Sequence, residues 1–272
     1  MKRATRLIGL VGLVAIAGLV TACSTATAPS PGRTATDATL TIYAASSLKG
    51  AIEAVRDAYR AAAPGATLTI ATDASSTLRT QIEQGAPADV FLSADEANPT
   101  KLVGAGLTDG AAVDFAGNRL VVIVPTANRA GITTPADLAD PGIKIIAAGA
   151  DVPIATYAAQ VVANLADSAG YPADFATAYG ANVVTKEENV KAVVAKVELG
   201  EGDAAIVYTT DATASTKVTA IDIPPTANVV ARYAGVVLKA SARVDAAHAF
   251  LAWLTGPGGQ AVLARFGFLP PT

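Results

Sequence analysis

Four stretches of this sequence put small or hydroxyl residues where a helix-like segment begins, a placement that can hold an anion without any cationic side chain. Ser46-Ser47 follows a first strand-like run and opens a helical segment at Leu48. Ala74-Ser75-Ser76 follows a second run and opens a segment carrying Leu78 and Ile82. Val152 to Thr156, with Ile154 at its centre, opens a third that runs past Tyr157 and Val161, and Thr185 to Asn189 opens a fourth led by Val190. The first N–H groups of a helix have no partner inside it, and the macrodipole makes that end positive. Several such ends aimed at one point form an anion site, to which serine and tyrosine hydroxyls add donors.

A site made only of donors suits an oxyanion that carries no proton, whereas phosphate near neutral pH keeps one and wants an acceptor beside it. The pattern therefore favours a dianion such as sulfate, molybdate or tungstate. Hydrogen bonds to charged groups contribute about 1.5–3 kcal/mol each, so five to seven of them supply the binding energy of a submicromolar complex before the costs of ordering. The ordinary alternative stands beside this: serine ahead of a helix is the commonest N-cap, worth about 1 kcal/mol of stability. Spacing alone does not show that the four starts converge.

The elements that must position these residues alternate along the chain. Thr39–Ala44, Thr67–Ala71, Asp89–Ser93, Leu120–Val124, Lys144–Ala147 and Ala204–Tyr208 read as short buried strands. Leu48, Ile52, Val55 and Tyr59 share one helical face, as do Val190, Val193, Val194 and Val197, and again Ala247, Phe250, Leu251 and Leu254. Such alternation predicts α/β architecture with mostly parallel sheets. Two longer strand-like runs, 118–125 and 229–238, the second containing Gly235 and preceded by the Pro-rich connector 222–228, are candidate crossovers between two lobes.

Ahead of this region, Lys2, Arg3 and Arg6 precede the apolar run Leu7–Val20, and Thr21-Ala22-Cys23 follows it. Fourteen helical residues span about 21 Å, short of a bilayer core of about 30 Å, so residues 1–22 read as a secretory signal. Val20-Thr21-Ala22-Cys23 resembles a bacterial lipobox, which makes Cys23 the expected lipidation site and 23–38 a lipidated cysteine with a flexible tether rich in Ser, Thr, Ala and Pro. Cys23 is the only cysteine and His248 the only histidine, so no disulfide within the monomer and no common structural zinc site is expected. A net charge of −3 gives no support for nucleic acid as a partner.

Five further stretches carry a resemblance. Ala44-Ala45-Ser46-Ser47-Leu48, the run from Gly85-Ala86-Pro87-Ala88-Asp89 to Asp95, Asn118-Arg119-Leu120-Val121-Val122, Ala205 to Ala212, and the C-terminal Phe250, Trp253-Leu254, Gly256-Pro257 and Arg265 to Phe268 resemble, in this order, the periplasmic molybdate-binding proteins of ABC transporters. The resemblance spans Thr39 to Leu269. It implies a type II periplasmic binding protein fold of two doubly wound α/β lobes with a ligand cleft between them: lobe 1 from 39–121 and 235–272, lobe 2 from 122–234, and hinges near Leu120–Val124 and Tyr233–Val237. It implies ligand contacts from the hydroxyls and amides of Ser47 and Ser75, the amides of Ile154 and Val190, and the phenol of Tyr208, with no metal cation, no cationic side chain and no cofactor. It also implies a monomer that delivers molybdate or tungstate to a membrane permease and its ATPase, held by the lipid on Cys23 at the outer face of the bacterial cytoplasmic membrane. Asp73, two residues before Ser75, is expected to face solvent or cap a turn.

Other readings are weaker. Sulfate or another small oxyanion would suit the same donors. Ser46-Ser47-Leu48-Lys49 satisfies S-x-x-K, the nucleophile motif of penicillin-recognising hydrolases, but S-D-N, K-T-G and G-x-S-x-G are absent, and the chain is not expected to be an enzyme. His248 reads as a helix-surface residue, and Lys186-Glu187-Glu188 as a solvated helix start, not a metal site.

Overall fold

The computed structural model describes residues 38–271. The signal segment, Cys23 and the tether up to Asp37 lie outside the described residues. The first half of the chain runs β1 (Thr39–Ala45), α1 (Lys49–Ala62), β2 (Thr67–Asp73), α2 (Ser75–Glu83), β3 (Val90–Leu92), α3 (Ala97–Gly104) and β4 (Val113–Pro125), with a 3-10 turn at Ser46–Leu48. It continues through β5 (Ile145–Ala148), α4 (Pro153–Ala166), α5 (Phe175–Asn182), β6 (Val183–Glu187), α6 (Val190–Glu198), β7 (Ala205–Tyr208), α7 (Thr209–Thr213) and β8 (Val218–Asp222). It closes with β9 (Val230–Val237), α8 (Val244–Thr255) and α9 (Pro257–Arg265).

The apolar periodicities land where they were read. Ile52, Val55 and Tyr59 are the buried face of α1; Val190, Val193, Val194 and Val197 that of α6; Ala247, Phe250, Leu251 and Leu254 that of α8. Tyr59 meets the edge of Phe250 with ring centres 5.0 Å apart, which locks α1 to α8. Leu120 to Val124 is buried on both faces of β4, as expected of a strand covered by helices on both sides.

Strand pairing divides the sheet into two halves that share β4. In the first half the order is β2-β1-β3-β9, ending on β4 residues Val113 to Arg119. From Leu120 onward β4 leaves β9 and pairs instead with β7 and β8, while β5 pairs with β6 and bridges to Ala204 beside β7. The expected predominance of parallel pairing gives way to a mixed sheet. β1 is parallel to β2 and β3, and β5 to β6, but β4 and β9 run antiparallel to their partners.

A second crossing joins β8 to β9. β9 pairs with the first half from Val230 onward, so the crossing is the 223–229 segment. Pro224 and Pro225 have no N–H to extend a ladder, which ends β8 there. Asn228 then bridges the two crossings, its Nδ2 donating to Leu120 O at 2.8 Å and its Oδ1 accepting from Leu120 N at 3.1 Å. Gly235 does not interrupt its strand. A Cβ there would meet Leu92 Cδ2 at 2.9 Å and Leu251 Cδ1 at 3.0 Å, so glycine permits the close packing of β9 on β3 and α8.

Candidate oxyanion site

The segments after β1, β2, β5 and β6 and the end of β7 converge on one small pocket, which Ala94 after β3 also lines. All five residues singled out as ligand contacts line it: Ser47, Ser75, Ile154, Val190 and Tyr208. Each is at most 4 % exposed. The first sheet half supplies Ser47, in the 3-10 turn after β1, and Ser75, the first residue of α2. The second half supplies Ile154, Val190 and Tyr208 from the starts of α4 and α6 and the end of β7. No Lys, Arg, Asp or Glu lines this cavity.

The two serines are not ordinary caps. Ala45 and Ala74 occupy the N-cap positions, and neither helix start is closed by a side-chain hydrogen bond. Instead each serine oxygen accepts from elsewhere: Ser75 Oγ from the Ala94 amide at 3.0 Å, and Ser47 Oγ from the Tyr233 hydroxyl at 2.9 Å. With one acceptor side occupied, each hydroxyl still has its proton to donate.

Tyr208 differs. Its hydroxyl is buried and has no hydrogen-bond partner, and its ring meets Tyr157 and Tyr233 edge-on at 6.4 Å and 5.6 Å between centres. Burial, then the neighbouring Tyr233, Tyr157, Asp211 and Asp95, hold its pKa well above the ordinary phenol value, so it is a neutral donor.

Main-chain donors complete the lining. Pro153 opens α4 without an N–H, and Ala155 N already bonds Val152 O at 2.9 Å, which leaves the Ile154 amide as a free donor of the first turn. At α6, Asn189 is the N-cap: its Oδ1 accepts from Ala192 N at 3.0 Å and leaves the Val190 amide unspent. Thr185 to Glu187, expected in the helix start, belong to β6. This edge strand alternates half-buried and exposed residues, and so lacks the buried apolar run by which strands were recognised.

Nearby carboxylates are otherwise engaged. Asp73 Oδ1 accepts from Ala74 N at 2.7 Å and from Asn189 Nδ2 at 3.2 Å, so it braces a turn and bridges to the α6 cap. Asp95 accepts from Ser93 Oγ at 2.8 Å and from Asn98. Asp211, 1 % exposed, has Lys191 Nζ 2.7 Å from its Oδ1; burial raises its pKa and the ammonium opposes that rise.

The remaining candidates separate from the cavity. Ser46 is buried whereas Lys49 of the S-x-x-K stretch is exposed on α1. His248 Nε2 lies 2.8 Å from Asp109 Oδ1 on the surface of α8. Glu187 pairs with Lys196 at 2.9 Å, and no cluster of three or more His, Cys, Asp or Glu residues able to hold a metal occurs among the described residues. No helix among them is long and apolar enough to cross a membrane.

Two residues around the site escaped sequence reasoning, Tyr233 and Asn118. Both are fully buried, and Asn118 Nδ2 donates to Thr210 Oγ1 at 2.9 Å and lies 3.4 Å from Tyr233 Oη. Asn118 stands in a stretch that carries the resemblance and Tyr233 in an expected hinge, but nothing in the sequence ties either one to the site.

Comparisons with known proteins agree with this architecture. The chain is 35 % identical over 265 residues to the molybdate-binding protein ModA of Mycobacterium tuberculosis, covering 97 % of both chains. It superposes on the Azotobacter vinelandii periplasmic molybdate-binding protein with a TM-score of 0.72 at 23 % identity, covering 86 % of this chain and 100 % of the other. The sulfate-binding protein SubI of Mycobacterium tuberculosis gives 0.75 at 23 % identity, with 85 % and 86 % covered. The fold is that of type II periplasmic binding proteins. The model of the bacterial extracellular solute-binding proteins matches residues 40–269, and this chain belongs to that family.

Proposed function

We propose that this protein is the substrate-binding component of an ABC importer and that it captures molybdate, and tungstate with it, in the cavity lined by Ser47, Ser75, Ile154, Val190 and Tyr208. The observation that carries the reading is the one-sidedness of the donor set. Two serine hydroxyls have an acceptor side already occupied, a buried phenol has no partner, and first-turn amides face a cavity without charged side chains. Such a lining satisfies an oxyanion that brings only acceptors and leaves the proton of hydrogen phosphate without an acceptor side chain. Sulfate meets the same donor chemistry; the 35 % identity to a molybdate-binding protein is what favours the larger anion.

Calorimetric titration of the purified chain with molybdate, tungstate, sulfate and phosphate tests this. Saturable molybdate and tungstate binding at micromolar concentration or below, with weaker sulfate and no phosphate, is expected; no saturable molybdate binding at micromolar levels sinks the proposal.

The same reading extends to the importer, with a permease and an ATPase receiving the loaded protein, and to a lipid on Cys23 that keeps it at the outer face of the cytoplasmic membrane. The basic start, short apolar run and lone cysteine support the anchor. One acyl chain holds a protein only marginally at a membrane, so an anchor of several chains is expected. Mass spectrometry of the mature chain should find acylation at Cys23, and Cys23→Ser should release the protein from membranes. An unmodified Cys23 in membrane-bound protein would refute the anchor.

A further inference from the structure

We infer that Tyr233 is a positioning residue for the anion site: it commits the Ser47 hydroxyl to donate into the cavity. The inference rests on the reading of that cavity as an oxyanion site and adds to it a residue that does not line the cavity. A serine hydroxyl has one proton and two lone pairs and can turn to donate or to accept. Left free, Ser47 could accept from a protonated anion as readily as donate to a bare one, and its discrimination would be lost.

Three buried groups remove that freedom. Tyr233 Oη stands 2.9 Å from Ser47 Oγ. Behind it, the Asn118 amide is oriented with Nδ2, which can only donate, 3.4 Å from Tyr233 Oη and 2.9 Å from Thr210 Oγ1, and with Oδ1 buried and without a partner. With the amide on the acceptor side of the phenol, the phenolic proton goes to Ser47 Oγ, and the Ser47 proton has the cavity as its outlet. Tyr233 and Asn118 are both 0 % exposed, so solvent does not compete for these bonds.

Packing holds the phenol in place. The Tyr233 ring meets the edges of Phe115, Phe268 and Tyr208 with centres 6.0, 5.5 and 5.6 Å apart. The relay also spans the crossing between the sheet halves, since Asn118 and Tyr233 lie on β4 and β9 while Thr210 lies on α7, directly after Tyr208. The donors Ser47 and Tyr208 are thereby held against one aromatic cluster.

The test is a double-mutant cycle read by calorimetry on the full chain, with Tyr233→Phe made alone and in the Ser47→Ala background. Tyr233→Phe should weaken molybdate about tenfold, in keeping with the loss of one oriented charge-assisted bond, and should have less than about a twofold effect once Ser47 is alanine. Hydrogen phosphate added as competitor should displace molybdate more readily from Tyr233→Phe than from wild type.

Unchanged or tighter molybdate binding by the variant overturns the inference; tighter binding would mean that Ser47 had been donating to Tyr233 instead. Equal losses in both backgrounds, or unchanged phosphate competition, overturn it as well, because those are the marks of a purely structural role. If Tyr233→Phe does not fold, Asn118→Ala takes its place: freeing the phenol to turn should weaken molybdate a few-fold, and unchanged affinity there is equally fatal. A wild-type chain that binds no molybdate at all refutes the site reading itself, a result distinct from each of these.

Discussion

The two walls of the proposed anion cavity are built on different principles. On the first sheet half the donors are side chains, Ser47 and Ser75, and each is aimed by a partner outside its own helix. On the second half two of the three proposed contacts, Ile154 and Val190, have aliphatic side chains that belong to the hydrophobic core, and the available donors are their backbone amides. The first wall depends on residue identity and the second on where helices begin. Substitutions should therefore affect the walls unequally, and the inequality is measurable.

The largest effect is expected on the first wall. Ser47→Ala combined with Ser75→Ala removes two donors outright and should cost about 3–6 kcal/mol of molybdate binding, at about 1.5–3 kcal/mol for each bond to a charged group. Calorimetry reads this directly. A loss below tenfold would mean that the amides carry the anion by themselves and that the comparison is wrong.

The second wall should fail through its supports. Lys191 pairs with the buried Asp211 and so ties the start of α6 to α7, which begins after Tyr208. Lys191→Met should destabilise the fold by about 2–4 kcal/mol, less than a fully buried pair because the lysine side chain is 28 % exposed. The sign with pH is definite. Burial already raises the Asp211 pKa, and removing the ammonium raises it further. A carboxyl whose folded pKa lies above its unfolded one binds protons more tightly when folded, so its contribution to stability is present at low pH and is lost as pH rises through the folded pKa. The variant should recover stability relative to wild type as pH falls, which denaturation midpoints across pH would report.

This asymmetry also decides what could be read from sequence. Ser47 and Ser75 stand out as hydroxyls before helical periodicity. Ile154 and Val190 do not, because an amide donor has no residue signature; only resemblance singled them out. The β1–α1 start was legible because a largely buried strand leads into it, and the β2–α2 start because Leu78 and Ile82 repeat at helical spacing behind Ser75. β6 and β8 were not, since neither has a buried residue: both are edge strands of half-buried and exposed positions. Gly235 looks like a break in a strand and is instead a point of close packing. Convergence of five segments on one cavity is a property of strand order, which periodicity does not encode.

Tyr208 belongs to the second wall but works through its side chain, and it separates binding from stability. Its hydroxyl has no partner in the protein, so Tyr208→Phe removes a buried polar group that contributes nothing to the unliganded fold. Molybdate affinity should fall by about 1.5–3 kcal/mol while the melting temperature without ligand stays level or rises. A drop in that temperature would show that the phenol has a structural partner and would remove it from the list of free donors.

The smallest effect gives the sharpest contrast. Ile154→Val deletes one methylene from a side chain that is 2 % exposed and leaves the amide where it was. Stability should fall by about 0.5–1.5 kcal/mol, the usual cost of that deletion in a packed interior. Affinity should change by less than about twofold, because the donor is backbone and Pro153 still fixes the first turn of α4. Thermal denaturation and calorimetry on the same preparation read both quantities. If affinity falls as steeply as in Ser75→Ala, the side chain and not the amide is what the anion meets, and the two walls are built alike.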